Sequence, residues 1–313
     1  MGISMRQHLA SLVAVFLALL IGVLVGVSLS QEPRLERLME TLLQRNSELE
    51  QQQRKLTELN DLHSKFEASF APRLVQERLV DRNVALFMTC VPEDDDLRDG
   101  IIAFLKEAGA LGAVTVTFTR DYASVCERQG EALLQEFGVS ADEGQGLPKL
   151  IAAQAAGAVS QGNEERLALL DKRGLVQVDG KLPGPLRLAV VAGGADTATN
   201  RRTDTVDEPL IRALLEAQVT TVGCERSETP ESYMLAYQKA NISTVDHVDK
   251  AAGLVSLVMA LSGQPGHYGI KPSAGLPFPL LPPGAEPPGG GPPHGESPGG
   301  EPAPGSAHGA PPR

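Results

Sequence analysis

The first thirty residues separate sharply from the rest of the chain. After Arg6 and His8 the chain carries no charge from Leu9 to Ser30. As a helix those 22 residues reach about 33 Å, enough to cross a hydrocarbon core of roughly 30 Å. Secretory h-regions are shorter. The run therefore predicts an uncleaved anchor over 1–30, although Ser28 and Ser30 are small enough to keep cleavage before Gln31 open. Ala10, Ala14, Ala18, Gly22 and Gly26 recur every four residues, a stripe that lets two membrane helices approach backbone to backbone.

Next comes a heptad. Leu35, Leu42, Leu49 and Leu56 fall seven apart and continue into His63 and Phe70, beside a companion seam of Leu38, Arg45, Gln52, Leu59 and Phe66. Apolar residues at both seam positions mark a coiled coil, and polar ones inside it trade stability for register. The surrounding "QRNSELEQQQRKLTELND" leaves little else to bury. Residues 31–72 are expected to form a parallel coiled coil that ends at Pro72.

From Asn83 the period changes again. "VALFMT" and "AVTVTFT" read as strands on either side of the helical "LRDGIIAFLKEAGA". Helical patterns occupy 122–137, 147–160 and 163–173. Strand "LRLAVVAGG", helix "EPLIRALLEAQ", strand "VTTVGCE", helix "SYMLAYQKA", strand "ISTVD" and helix "KAAGLVSLVMALSG" then alternate. Five strand-like segments separated by helices predict an α/β fold over 79–271: an open, mostly parallel sheet covered by helices. Residues 272–313 are dominated by proline and glycine and are expected to be a disordered tail, because they bury too little apolar surface to offset their ordering entropy.

Composition narrows the function. A net charge of −11, 4% aromatics and no tryptophan disfavour nucleic acid. Arg6 ahead of the apolar run favours an amino terminus in the cytoplasm and a body outside it. Cys90, Cys126 and Cys224 form no C-x-x-C. G-x-G-x-x-G, a P-loop, H-E-x-x-H and G-x-S-x-G are all missing, so the expectation is a protein that is not an enzyme. His247 and His267 are the histidines of the body and stand in no motif, while His294 and His308 fall in the tail.

Open α/β sheets bind ligands beyond the carboxyl ends of their strands. Thr89, Cys90, Asp94, Asp95, Asp96, Gly193, Gly194, Asp196, Cys224, Glu225 and Asp246 would collect there if all strands run parallel. The ordinary alternatives are core packing for the thiols and a helix N-terminus for the aspartates. Met88 and Cys90, two apart at a strand end, share a face. Cys224 joins them if its strand is near, and these three soft donors are the candidate metal ligands. Cys126 falls in a helical pattern and reads as core.

"SMRQHLASLVAVFLALLIGVLVG", "VALFMTCVPEDDDLRDGI", "LAVVAGGADT" and "ISTVDHVDKAAGLVSLVMALSGQPGHYG" resemble the copper-transporter family typified by mycobacterial MctB, which also includes the septation protein SteB. The resemblance runs in patches from Ser4 to about Gly269. It implies copper transport or homeostasis by a membrane-anchored oligomer joined through residues 9–70, with copper as the metal. The alternative it implies is a scaffold outside the cytoplasm that recruits a cell-envelope or division partner. One apolar span without a polar stripe forms no pore alone, so conduction needs several copies.

Overall fold

A computed structural model describes residues 5–91, 93–139 and 146–278. Its first element, α1 (Met5–Val75), joins anchor and rod in one 71-residue helix. Gln7–Val27 is the stretch long and apolar enough to cross a membrane, and none of it is buried within the chain. In the rod Leu42 and Leu49 are each 62% exposed and Leu56 67%. Within one chain the heptad thus stands open. The helix also runs past Pro72, against expectation. A proline deletes one donor from the ladder, and here Ala71 and Val75 hold the last turn by burying into the head.

The head is a seven-stranded sheet in the order β3-β2-β1-β4-β5-β6-β7. The strands are β1 (Asn83–Met88), β2 (Gly112–Phe118), β3 (Val176–Asp179), β4 (Leu188–Ala192), β5 (Thr220–Cys224), β6 (Ser243–Val245) and β7 (His267–Tyr268). The five expected strands are present, flanked by two short edges that the pattern did not announce. The five expected strands pair in parallel, as the mostly parallel expectation has it, and the added edge strand β3 pairs antiparallel with β2. Edge strand β3 alternates buried Val176 with exposed Gln177, as a ladder wet on one side should.

Burial on both sides makes the central strands almost wholly apolar: all five residues of β4 are buried. One face carries Ala85, Phe87, Val116, Phe118 and Val191 under α3 (Tyr122–Glu136), α4 (Leu147–Gln161), α5 (Glu164–Lys172), α6 (Glu208–Glu216) and α7 (Met234–Lys239). The other carries Val84, Leu86, Met88, Val190 and Val222 under α2 (Asp95–Glu107), α8 (Ala251–Leu261) and the end of α1. α2 starts where Asp94 accepts from Leu97 N at 2.9 Å, with Asp95 and Asp96 favouring the helix dipole.

Of the expected tail, residues 272–278 are described. Leu276 pairs with Tyr268, and its N–H donates to the His267 carbonyl at 3.1 Å, while Phe278 sets its ring edge-on to His247. Residues 279–313, with His294 and His308, lie outside the described residues.

Candidate functional site

The strand order turns back on itself between β1 and β4, since β1 is followed in sequence by its neighbour on one side and β4 lies on the other. Such a reversal opens a crevice at the carboxyl ends of the strands. Here a cleft of about 360 Å³ opens there, lined by Cys90, Val91, Gly193, Gly194, Asp196 and Arg226 among others. Pairing continues past both strand ends: Val91 N donates to Gly194 O at 3.0 Å, and Asp196 N to Val91 O at 2.9 Å. Gly194 has φ +111°, a conformation that favours glycine, and Thr229 presses where a side chain would go.

The rim is acidic: Glu93, Asp94, Asp196 and Glu228 line it, and two of these carboxylates are already engaged. Asp94 caps α2 and also pairs with Arg226. Asp196 accepts from Asn200 Nδ2 at 2.7 Å, and that bond leads the effects holding its carboxyl below the usual range.

Beneath Gly193 lies a polar cluster that the sequence did not reveal. Asp207 is fully buried, and its Oδ1 accepts from Thr89 Oγ1 at 2.7 Å and from the Tyr237 hydroxyl, while Oδ2 has no hydrogen-bond partner. Burial pushes its carboxyl up to about 6 against the pull of those bonds. Gly193 and Gly223 are required because a side chain at either would collide with Tyr237. Arg202 closes this cluster by donating to the carbonyls of Phe118 at 3.1 Å and of Thr119 and Arg120 at 2.8 Å. Asp207 ends a π-helical turn, Thr203–Asp207, just ahead of α6. Its place before Glu208-Pro209 gives it the look of an ordinary helix start, which hid its burial.

Two other carboxylates expected on the rim hold the fold instead. Glu225 accepts from Ser232 Oγ at 2.6 Å and from Tyr233 N at 2.9 Å, and it pairs with Lys271. Asp246 takes the N–H groups of Ile270 and Lys271, each at 2.9 Å, and Gly269 is glycine because a Cβ would strike that carboxylate. Both strap the last described segment over the sheet edge. His247 is buried, its Nδ1 3.3 Å from Asp246 Oδ1 but without hydrogen-bond alignment, and burial lowers its pKa.

The three soft donors share one face. Met88 pairs with Ala192 and Ala192 with Cys224, so these residues form one row across β1, β4 and β5. Met88 and Cys224 are thus two strands apart, about 10 Å between Cα atoms. The Ala192 methyl lies between them, and Cys90 belongs to the same buried cluster. Cys90 alone of the three reaches the cleft. Burial, then Asp94, pushes the Cys90 thiol up to about 12, and burial followed by Cys90 raises Cys224 further. Both are neutral thiols at neutral pH, so a metal bound there must displace protons. Cys126 lies across the sheet in the opposite core, as its helical pattern implied. Among the described residues no three His, Cys, Asp or Glu side chains gather as a metal nest.

Comparison with known proteins gives a consistent picture. A family model described as "Copper transport outer membrane protein, MctB" matches residues 2–279. The copper transporters MctB of Mycobacterium bovis and Mycobacterium tuberculosis are each 28% identical over 306 residues, covering 85% of this chain and 96% of theirs.

Proposed function

The chain belongs to the MctB family of copper transport outer membrane proteins, and on that premise we propose that it is a non-enzymatic, membrane-anchored copper transport protein acting as an oligomer. Copper is its cargo. The observation that carries the reading is the family match over nearly the whole chain, anchor, rod and head together. The exposed rod leucines support the oligomer, since an isolated rod leaves them in water. The lone apolar span among the described residues supports it too, because one such helix has no path for an ion. Arg6 ahead of the span supports a cytoplasmic amino terminus with the head outside. The bilayer is then a constant partner, and nucleic acid is not one.

Met88, Cys90 and Cys224 are the proposed copper contacts. Thioether and thiolate suit soft Cu(I), and the cleft beside Cys90 offers a way in. The test is Cu(I) affinity of the full chain against its Cys90→Ser, Cys224→Ser double variant, with Cys126→Ser as control. Loss in the double variant alone is expected, because hydroxyls replace thiolates poorly on a soft ion; equal affinity in all three proteins removes these ligands. Copper tolerance of cells lacking the chain tests the wider reading and should fall.

The second reading is a scaffold that recruits a cell-envelope partner. Two carboxylates of the cleft rim favour it, since Asp94 and Asp196 are already engaged by Arg226 and Asn200. A purified chain free of copper that retains an envelope protein would support this reading over the first.

A further inference from the structure

Where the rod enters the head, its seam does not stop. Phe66 and Phe70, the last residues of the two heptad rows, touch at 4.5 Å between ring centroids. They remain 61% and 47% exposed. With Leu74 they form one wall of an apolar groove of about 350 Å³, whose other wall is α8 with Ala251, Ala252, Val255 and Met259, and which Phe278 from the chain's own last described segment also lines. Glu67 is the charged residue of this lining, and its heptad position lies beside the seam rather than in it.

We infer that this groove is the head's share of a two-fold interface with a second copy of the chain: residues 66–74 of each α1 lie over the α1–α8 groove of the other. This rests on the oligomer proposed above and extends it from the rod into the head. Three observations select the second copy as occupant. The groove is continuous with a leucine-rich seam, exposed within one chain and interrupted by Arg45, Gln52 and His63, that runs roughly 50 Å from Leu38 to Phe70 at 1.5 Å per residue. α1 is one helix from membrane to head, so two copies anchored in one bilayer enter in parallel and bring their Phe66 and Phe70 to the same height. Finally, α1 and α8 pack directly against each other, and the furrow between two packed helices seats a third. An isologous contact of this kind is closed by two copies, so a larger assembly joins such pairs through other surfaces.

The experiment uses the full chain in detergent, with a thiol-reactive crosslinker; the three native thiols are buried. One tagged chain carries Phe66→Cys and a co-expressed chain carries Ala252→Cys, beside a Leu49→Cys chain that reports on the rod. The expected result is capture of the Ala252→Cys chain by the Phe66→Cys chain, and self-linking of Leu49→Cys. Self-linking at Leu49 without capture at Ala252 would overturn the groove interface while leaving the rod pair standing. Failure of both would remove the oligomer itself. If Ala252→Cys is shielded in a monomeric chain and released by deleting residues 279–313, the groove belongs to the chain's own end and the inference is overturned.

Discussion

Head and rod handle the same kind of residue in opposite ways. The head encloses Leu86, Phe87, Val190 and Val191 completely between two layers of helices. The rod holds Leu42, Leu49, Leu56 and Leu59 out from a lone helix, each more than half exposed. Burial stabilises at about 25 cal/mol per Å² of apolar surface, so the head has its share within one chain, whereas the rod leucines gain none there. A buried core is thus joined to a helix whose apolar positions stay open within one chain. Stability is expected to reside in the head and association in the rod.

The strongest way to break that division is Leu42→Asp with Leu49→Asp. Charges buried in an apolar seam cost several kcal/mol. Self-association measured by sedimentation should weaken by more than ~100-fold, with the head's unfolding midpoint unchanged. A monomer before mutation would end the rod's role. The converse change, Phe87→Ala, opens a cavity in the head and should cost about 3–5 kcal/mol in denaturant unfolding, with association intact.

A third effect is smaller and depends on pH. Asp207 titrates near 6 in the fold, above its unfolded value of about 3.9. Over that window the folded state holds the extra proton, so this carboxyl contributes stability fully below pH ~4 that is lost as pH rises through ~6, up to roughly 3 kcal/mol. His247, whose pKa is lowered by burial, acts in the opposite sense, its contribution being lost as pH falls. The contrast between wild type and Asp207→Asn isolates the first: the fall from pH 4 to pH 6 should flatten in the variant. Smallest of all is Arg173→Ala, which removes a half-exposed pair with Glu136. It should shift head stability by less than ~1 kcal/mol.

The same division explains what was legible in advance. Buried parallel strands write themselves as apolar runs, so β1, β2, β4, β5 and β6 could be read from "VALFM" or "LAVVA". β3 could not, because an edge strand of four residues with Gln177 and Asp179 in it has no run to show. β7 is only two residues long. Pro72 misled because proline's local preference was outweighed by Ala71 and Val75 packing into a core built from distant residues. At the site, strand ends correctly gathered Cys90, Asp94, Gly193, Gly194 and Asp196 around one crevice, while Thr89 turned beneath it to Asp207. They misassigned Glu225 and Asp246, whose partners Lys271 and Ile270 arrive from beyond β7. Asp207 was invisible for a related reason: what makes it unusual is Thr89, 118 residues away in the chain.

Copper movement by the assembled chain is the central claim, and it is measured most directly as copper uptake by vesicles holding the purified full-length protein. The account predicts uptake well above that of empty vesicles, and its loss in the Leu42→Asp, Leu49→Asp variant, which keeps the head and loses the assembly. Uptake by the wild-type protein no faster than by empty vesicles would contradict it.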